Sequence, residues 1–230
     1  MATTRSYQDA CGMSHALDLV GERWAMHIVR ELMLGPKRYT DLKADLPGIS
    51  TNMLGDRLAE LERTGLVRRR RLPAPAASWV YELTEYGADL EPIITVLGRW
   101  GARSPGHRPD LPLSVTSFVL SLRTNVDAER TAGLTASYGL RVGDVDLHAD
   151  LVDGAFTVHP GVAAAPVATL GGAPEALAGL IYGGGSLGDA VRAGQVSLSG
   201  DEAAARRFLT LFTLPAKVAV PEEDGAQGRR

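Results

Sequence analysis

The stretch LPGISTNMLGDRLAELERTGLVRRRR, residues 46–71, decides the fold of the first half of this chain. Pro47-Gly48 ends one short helix, predicted at about 40–46, and Ser50 is a residue type that caps the next helix. Apolar residues then recur at helical spacing until Gly65, and this inward set is Leu54, Leu58 and Leu61. Two short helices joined by a tight, glycine-containing turn predict a helix-turn-helix unit.

Outward from this unit, the pattern predicts a β-hairpin wing and flanking helices. Two predicted strands, 66–72 and 79–83, enclose a proline-containing polar loop, which is typical of a hairpin with an extended tip. A closing helix is expected over about 85–100. Before the unit, Ser14 is expected to cap a first helix, and a second ends at Gly35-Pro36. The buried stripe of that second helix is Trp24, Ile28 and Leu32.

If the leucines of the fourth helix face inward, a helical turn of 100° per residue directs a small polar set outward. Asn52 suits a bidentate contact with adenine, and Asp56 can accept from cytosine N4. Ser50, Thr51 and the free N–H groups at the helix start suit a phosphate. Arg57, at the flank, is expected to reach the DNA backbone. An ordinary solvated helix face is the alternative. The outward set is Asn52, Asp56, Ala59 and Arg63, with Thr51 and Gly55 beside it.

Four consecutive arginines form the densest basic cluster of the chain and precede the predicted wing loop. Alternate side chains of a strand point to opposite faces, so at least two are expected to face phosphates. A charged edge that discourages strand aggregation is the alternative interpretation. The cluster consists of Arg68, Arg69, Arg70 and Arg71.

Composition bounds the remaining possibilities. The 230 residues are 45% hydrophobic with a net charge of −3, which argues weakly against nucleic-acid binding by the whole surface. Residues 1–103 carry 14 basic against 13 acidic residues, whereas residues 104–230 carry 10 against 14. A chain with one cysteine forms no internal disulfide, and the histidine spacing predicts no metal and no cofactor. No membrane span or signal segment is evident, so a cytoplasmic protein without membrane partners is expected.

The chain divides at a segment rich in proline and glycine. Residues 1–103 are predicted to form the winged helix-turn-helix domain, 104–112 a linker, 113–216 an α+β domain with a sheet covered by helices, and 217–230 a polar tail. Alternation of period two predicts half-buried strands, among them one that contains Phe118, Leu120 and Leu122. Helices are predicted at about 127–134, 174–182, 187–193 and 201–212.

Several segments in order carry a family resemblance: GERWAMHIVREL, GPKRYTDL, LPGISTNMLGDRLAELERTGLVRR and VYELTEYGADL. Over about residues 10–100 the chain resembles the HxlR family of bacterial winged-helix regulators. The resemblance implies a homodimer, joined through the N-terminal segment and the closing helix, that reads a pseudo-palindromic operator in double-stranded DNA. Where that family usually carries an arginine in the wing, this chain has Ser78, so Arg70 or Arg71 is expected to compensate. Familiar positions include Trp24, Arg38, Tyr39, Arg57, Gly65, Leu66, Arg69, Tyr81 and Thr84.

Cys11 lies where some members of that family place a redox-sensing or electrophile-sensing thiol. A lone cysteine is more often a small buried hydrophobe. No basic residue adjoins Cys11 in the sequence, so nothing local predicts a lowered thiol pKa, and the buried interpretation is favoured.

The runs GDVDLHADLVDGAFTVHPG and LIYGGGSLGDAVRAGQVSLSGDEAAARRFLTLF resemble the sterol-carrier-protein type of lipid-binding domain, over about residues 113–216. The resemblance implies an apolar tunnel between sheet and helices, although a place in a filled core is the more common role for each candidate liner taken singly. The candidate liners are Phe118, Leu120, Phe156, Leu180, Leu187, Leu209 and Phe212.

No nucleophile, base and acid set is present, so the chain is not expected to be an enzyme. The predicted function is a ligand-responsive transcription repressor. The alternatives are a regulator whose second domain is a ligand-free dimerisation or interaction module and, more remotely, a lipid-handling enzyme with a structural winged helix.

Overall fold

A computed structural model describes residues 6–219 as two compact units. The first unit comprises residues 6–95 together with 114–120, and the second comprises 96–113 together with 121–219. Within residues 6–219, no helix is both long enough and apolar enough to cross a membrane. The predicted tail lies outside the described residues from position 220 onward.

The first half of the chain has the predicted helix-turn-helix and wing. The turn between α3 (Tyr39–Asp45) and α4 (Thr51–Arg63) uses Gly48 at a φ of +92°, a backbone conformation that favours glycine. The wing strands pair antiparallel, with Val67 opposite Leu83 and Arg71 opposite Trp79. The elements are α1 Gly12–Val20, α2 Ala25–Glu31, α3 Tyr39–Asp45, α4 Thr51–Arg63, β1 Val67–Arg71, β2 Trp79–Leu83, α5 Glu85–Ala88 and α6 Glu91–Ala102.

A single apolar cluster holds these elements together. Leu42 from α3 and Leu54 from α4 are both fully buried in it, beside Ile28 from α2. Burial of each such side chain contributes about 1.5–3 kcal/mol relative to exposure. The leucine seam, which consists of Leu54, Leu58 and Leu61, therefore fixes the rotation of α4 about its own axis. Tyr39 and Tyr81 pack against the same cluster.

Two details of the first unit differ from the sequence prediction. Ser14 does not cap α1, which starts at Gly12; instead its hydroxyl donates to Asp9 Oδ2 over 2.8 Å from inside the helix. The predicted closing helix is two helices, α5 and α6, because the Leu90 N–H donates to the Gly87 carbonyl three residues back and interrupts the α-helical bonding pattern. A pattern of apolar residues specifies which face is buried more strongly than it specifies where a helix starts.

Glu31 is a fully buried carboxylate at the end of α2. It accepts from Arg30 Nη2 over 2.7 Å, from Lys37 Nζ over 3.1 Å and from the Ser114 hydroxyl over 2.7 Å. Burial alone would raise the pKa of Glu31, but the positive charges of Arg30 and Lys37 outweigh that effect and hold the pKa below its ordinary value. Glu31 therefore stays ionised and binds Lys37, which also pairs with Asp45 over 2.6 Å.

The second half of the chain forms a five-stranded sheet packed against helices. Its strand order is β5-β4-β3-β6-β7, with β3 and β6 parallel and the other pairs antiparallel. Helices α8 to α11 contact the strands, as expected for an α+β layer. The elements are α7 Val115–Asn125, α8 Ala128–Thr131, β3 Ala136–Val142, β4 Val145–Val152, β5 Ala155–Pro160, β6 Ala168–Gly172, α9 Pro174–Tyr182, α10 Leu187–Arg192, β7 Val196–Gly200 and α11 Glu202–Leu209.

The predicted strand containing Phe118, Leu120 and Leu122 is wrong, because these residues lie on helix α7. Val119, between them, is also fully buried, so the apolar positions include the helical spacing of 118, 119 and 122 as well as the alternation. The Ser114 hydroxyl accepts from the Ser117 N–H over 3.0 Å at the start of this helix. A short apolar run fits both periods, and the capping serine is the signal that distinguishes them.

Candidate nucleic-acid interface

Helix α4 has the orientation that the sequence predicts. Leu54, Leu58 and Leu61 are at most 1% exposed, whereas Asn52 and Asp56 lie in the exposed class. Ala59 and Arg63, further along the same face, are exposed as well. The face opposite the leucine seam is therefore open, small in bulk and polar.

The first turn of α4 is fixed by two hydrogen bonds. The Ser50 hydroxyl accepts from the Met53 N–H over 3.2 Å, so Ser50 is the predicted cap. The Tyr39 hydroxyl donates to the Thr51 carbonyl over 2.6 Å and thereby ties the start of α4 to α3. Ser50 accepts in this cap and keeps its own O–H as a donor, and Thr51 adds a second exposed hydroxyl at the helix start.

The polar side chains on the open face of α4 are uncommitted. In the part of the chain that the structure describes, Asn52 and Asp56 make no side-chain hydrogen bond or ion pair, so both can bind a partner without first losing an internal contact. Beside them, a Cβ added to Gly55 would meet no atom within 4 Å. Packing therefore does not require glycine at position 55.

The register of the wing divides the four arginines between two faces. Glu82 lies between Arg68 and Arg70 and accepts from their Nε atoms over 2.7 Å and 2.6 Å. Burial alone would raise the pKa of Glu82, but the hydrogen bonds from the two arginines outweigh it and lower the pKa, so the pair of arginines shares one negative charge. The sequence interpretation missed this role of Glu82, although pairing the two predicted strands residue by residue would have placed it opposite Arg68.

Arg69 and Arg71 lie on the other face of the wing. The guanidinium carbon of Arg69 lies 4.6 Å from the ring centroid of Trp79 and 5.9 Å from that of Tyr81. Arg71 donates from Nε to the Ala77 carbonyl over 3.2 Å. Among residues 6–219 neither arginine has a carboxylate partner within 4.0 Å, so these two carry the uncompensated positive charge of the wing.

Three predicted DNA contacts are placed differently by the structure. Arg57 is 17% exposed in its side chain and pairs with Glu60, because its position on α4 is turned toward the protein. The hydroxyl of Ser78 is buried and has no hydrogen-bond partner in the described part of the chain, so it does not point toward a groove. Arg70 is held by Glu82 and is not free to compensate at the wing tip.

The remaining predicted positions are accessible. Arg38 is exposed at the start of α3, where its backbone N–H donates to Asp41 Oδ2 over 3.1 Å. Arg63 has a side chain 58% exposed, and it lies about 16 Å along the helix axis from Asn52. These two arginines extend the positive surface beyond the first turns of α4.

Cys11 is exposed and occupies the N-cap position of α1, so the favoured prediction of a buried thiol is wrong. The backbone N–H groups of Ser14 and Met13 stabilise the thiolate and lower the pKa of Cys11. The sequence offered no neighbouring charge, and the cause of the shift is the start of a helix instead.

The candidate ligand-tunnel residues are buried or half-buried, and two of them are in ring contact. Phe156 and Phe212 have ring centroids 5.3 Å apart, and both also contact Phe208. Phe118 and Leu120 lie on α7 in the segment that groups with the first unit. The other three, Leu180, Leu187 and Leu209, are at most 8% exposed.

The sheet of the second unit carries a surface depression of about 290 Å³, and none of the seven candidate ligand-tunnel residues lines it. Its polar lining includes Arg141, Asp146, Thr169, Ser197 and Ser199.

An exposed polar helix face, a helix-turn-helix and a positively charged hairpin together define a winged helix-turn-helix transcription regulator. Similarity to known proteins identifies the family of this regulator. The HxlR-like helix-turn-helix model matches residues 19–108, and the regulator YodB of Bacillus subtilis is 39% identical over 88 residues, which cover 38% of this chain and 79% of YodB. The chain belongs to the HxlR-like helix-turn-helix family, and it is a DNA-binding transcription regulator.

Solved structures match each half separately. Quinone-bound YodB is 36% identical, with a TM-score of 0.34, and the match covers 38% of this chain and 92% of that chain. For the second half, the alkyl sulfatase C-terminal model matches residues 111–218. The sec-alkylsulfatase Pisa1 from Pseudomonas sp. is 19% identical, with a TM-score of 0.39, over 46% of this chain and 17% of that chain. The second half is an α+β sheet domain that matches the alkyl sulfatase C-terminal model.

Proposed function

We propose that this regulator binds a pseudo-palindromic operator as a homodimer and represses transcription. The observation that carries the proposal is the open face of α4, whose Asn52 and Asp56 are exposed and uncommitted beside a wing with two uncompensated arginines. Asn52 and Asp56 read base edges in the major groove, and Arg69 and Arg71 bind phosphates. Binding to chromosomal DNA places the protein in the cytoplasm, and no catalytic step is part of this function.

Exposed apolar side chains on α1 and α6 support the homodimer. On α6, Val96 is 69% exposed and Trp100 is 71% exposed, and on α1 Met13 is 66% exposed. These side chains would remain in water in a monomer, and large apolar side chains exposed along one helix are typical of a protein interface. A second copy of the chain packed on α6 would remove that surface from water and pair two recognition helices.

Sequencing of genomic fragments that the purified protein retains tests this proposal. We expect enriched fragments to share an inverted repeat whose half-sites lie about 34–36 Å apart, one turn of the duplex. Footprinting should then protect both half-sites together. Retention of fragments without a shared repeat, or protection of a single half-site by a monomer, would contradict the proposal.

We further propose that the second unit binds a small apolar ligand and that binding alters DNA affinity. The aromatic side chains Phe156, Phe208 and Phe212 support this, because they form a cluster between the sheet and α11 in which Phe156 is only half-buried. A tunnel of the sterol-carrier type is part of this proposal. A ligand that prefers the DNA-free conformation by about 100-fold would supply roughly 2.7 kcal/mol of coupling.

The alternative is a filled second unit that serves dimerisation or protein interaction. Mass spectrometry of the natively purified protein distinguishes the two functions. The same measurement is made on Phe156→Trp, a variant whose larger side chain fills space at the half-buried edge of the aromatic cluster. Co-purifying lipid that is lost in Phe156→Trp supports ligand binding. A protein free of lipid, whose DNA affinity is unchanged by added fatty acids, supports the interaction module.

Cys11 supplies a second candidate mode of sensing, favoured by its exposure and its lowered pKa. A thiolate is the reactive form toward oxidants and electrophiles. The proposed modification of Cys11 alters DNA affinity through α1. Treatment with a quinone should change operator affinity in the wild type and leave Cys11→Ser unaffected, whereas an equal response of both proteins would exclude Cys11.

A further inference from the structure

The outer face of the wing carries an exposed aromatic ring in contact with an uncompensated cation. Trp79 is 52% exposed although it is the first residue of β2 and has Arg71 as its cross-strand neighbour. Arg69 lies over the Trp79 ring at 4.6 Å, as in a cation–π pair. About half of the Trp79 indole is in contact with water, so that apolar surface is available for a partner to cover.

Charge selects the partner. On the opposite face of the wing, Glu82 compensates Arg68 and Arg70, so an anionic partner is attracted specifically to the face that carries Arg69. The aromatic contact positions the Arg69 guanidinium beside the ring, and its N–H groups make no hydrogen bond within residues 6–219, so they can bind a phosphate. A DNA backbone offers both chemistries in one nucleotide, a phosphate anion next to a deoxyribose with apolar C–H edges.

We propose that Trp79 and Arg69 form one composite contact to a single nucleotide of the DNA backbone. The exposed edge of the Trp79 indole packs on the deoxyribose, and Arg69 binds the adjoining phosphate. The inference rests on the proposed function, in which the wing faces the operator. It gives the wing an anchor in place of an arginine at position 78, where the hydroxyl of Ser78 is buried.

A double-mutant cycle on duplex DNA tests the composite contact. Trp79→Ala and Arg69→Ala should each lower affinity about fivefold to tenfold, and the double variant should lose little more than the worse single variant, because each side chain depends on the other. Arg69→Ala should flatten the dependence of log affinity on log salt by about 0.9, and Trp79→Ala should flatten it as well, because Arg69 loses its phosphate contact when the indole is absent. Trp79→Phe should retain most of the affinity.

Tyr86→Ala is the matched control, because Tyr86 is 53% exposed on α5 of the same unit and, among residues 6–219, no arginine lies over its ring. It should bind DNA as the wild type does. Wild-type affinity of a folded Trp79→Ala protein, or losses that multiply in the double variant, would overturn the composite contact. If Asn52→Ala still changes base preference in that case, the DNA-reading function stands and only this contact fails.

Discussion

Gly55→Ala should make the protein more stable and a poorer DNA binder at the same time. A Cβ at position 55 would meet no atom within 4 Å, and the residue lies inside α4 with ordinary helical geometry. Replacing glycine by alanine in such a helix adds about 0.5–1 kcal/mol to the free energy of unfolding. The added methyl stands beside Asn52 on the face that approaches base edges.

The expected loss of DNA affinity follows from the same geometry. A bidentate base contact is worth about 1–3 kcal/mol, and a methyl group that holds the helix away from the groove removes much of one such contact, so affinity should fall about tenfold. Urea unfolding measures the gain in the free energy of unfolding, and a binding titration measures the loss of DNA affinity. Gly179→Ala, at an equally open position of α9, is the control that should gain stability without losing affinity. Unchanged DNA affinity in Gly55→Ala would refute the close approach of this face.

Three further predictions concern stability and assembly. Glu31→Gln should lower the free energy of unfolding by about 3 kcal/mol at pH 7, because it uncouples a buried ion pair. Since the folded-state pKa of Glu31 is lowered, the stability that this carboxylate contributes is complete above its unfolded pKa and disappears as the pH falls through the folded pKa. Urea unfolding of the variant should therefore depend less on pH below about 4.5 than that of the wild type. Leu58→Ala should cost about 2–5 kcal/mol by opening a cavity under α4, measured by the same unfolding assay. Trp100→Asp should convert the dimer to a monomer in sedimentation, whereas an unchanged mass would exclude the α6 face from the interface.

The helix-turn-helix and the wing could be predicted from sequence because their signals are local and agree with one another. Leucines at helical spacing, a capping serine at position 50 and glycine turns all specify the same elements. The strand predicted around Phe118 failed because four apolar residues in five positions satisfy either period, and tertiary packing decided between them. Helix ends failed for a related reason: Ser14 has the right side chain for a cap, but the chain turns three residues earlier.

The orientation of the α4 face could be predicted from the sequence, but the pairing of the wing arginines with Glu82 could not. The outward set of α4 follows from the position of its leucines, so one face specifies the other. Which of the four arginines stay free depends on Glu82 across the strand pair, and a sequence read strand by strand does not bring those residues together. The lowered pKa of Cys11 depends on backbone N–H groups of α1, which no count of neighbouring charges reveals.

Selection of binding sites from a pool of randomised duplexes, carried out with the wild type and with Asn52→Ala, measures directly whether the open face of α4 reads bases. We expect the wild type to enrich an inverted repeat and Asn52→Ala to enrich the same repeat with preference relaxed at one position in each half-site. An identical motif from both proteins, at equal affinity, would contradict base reading by α4.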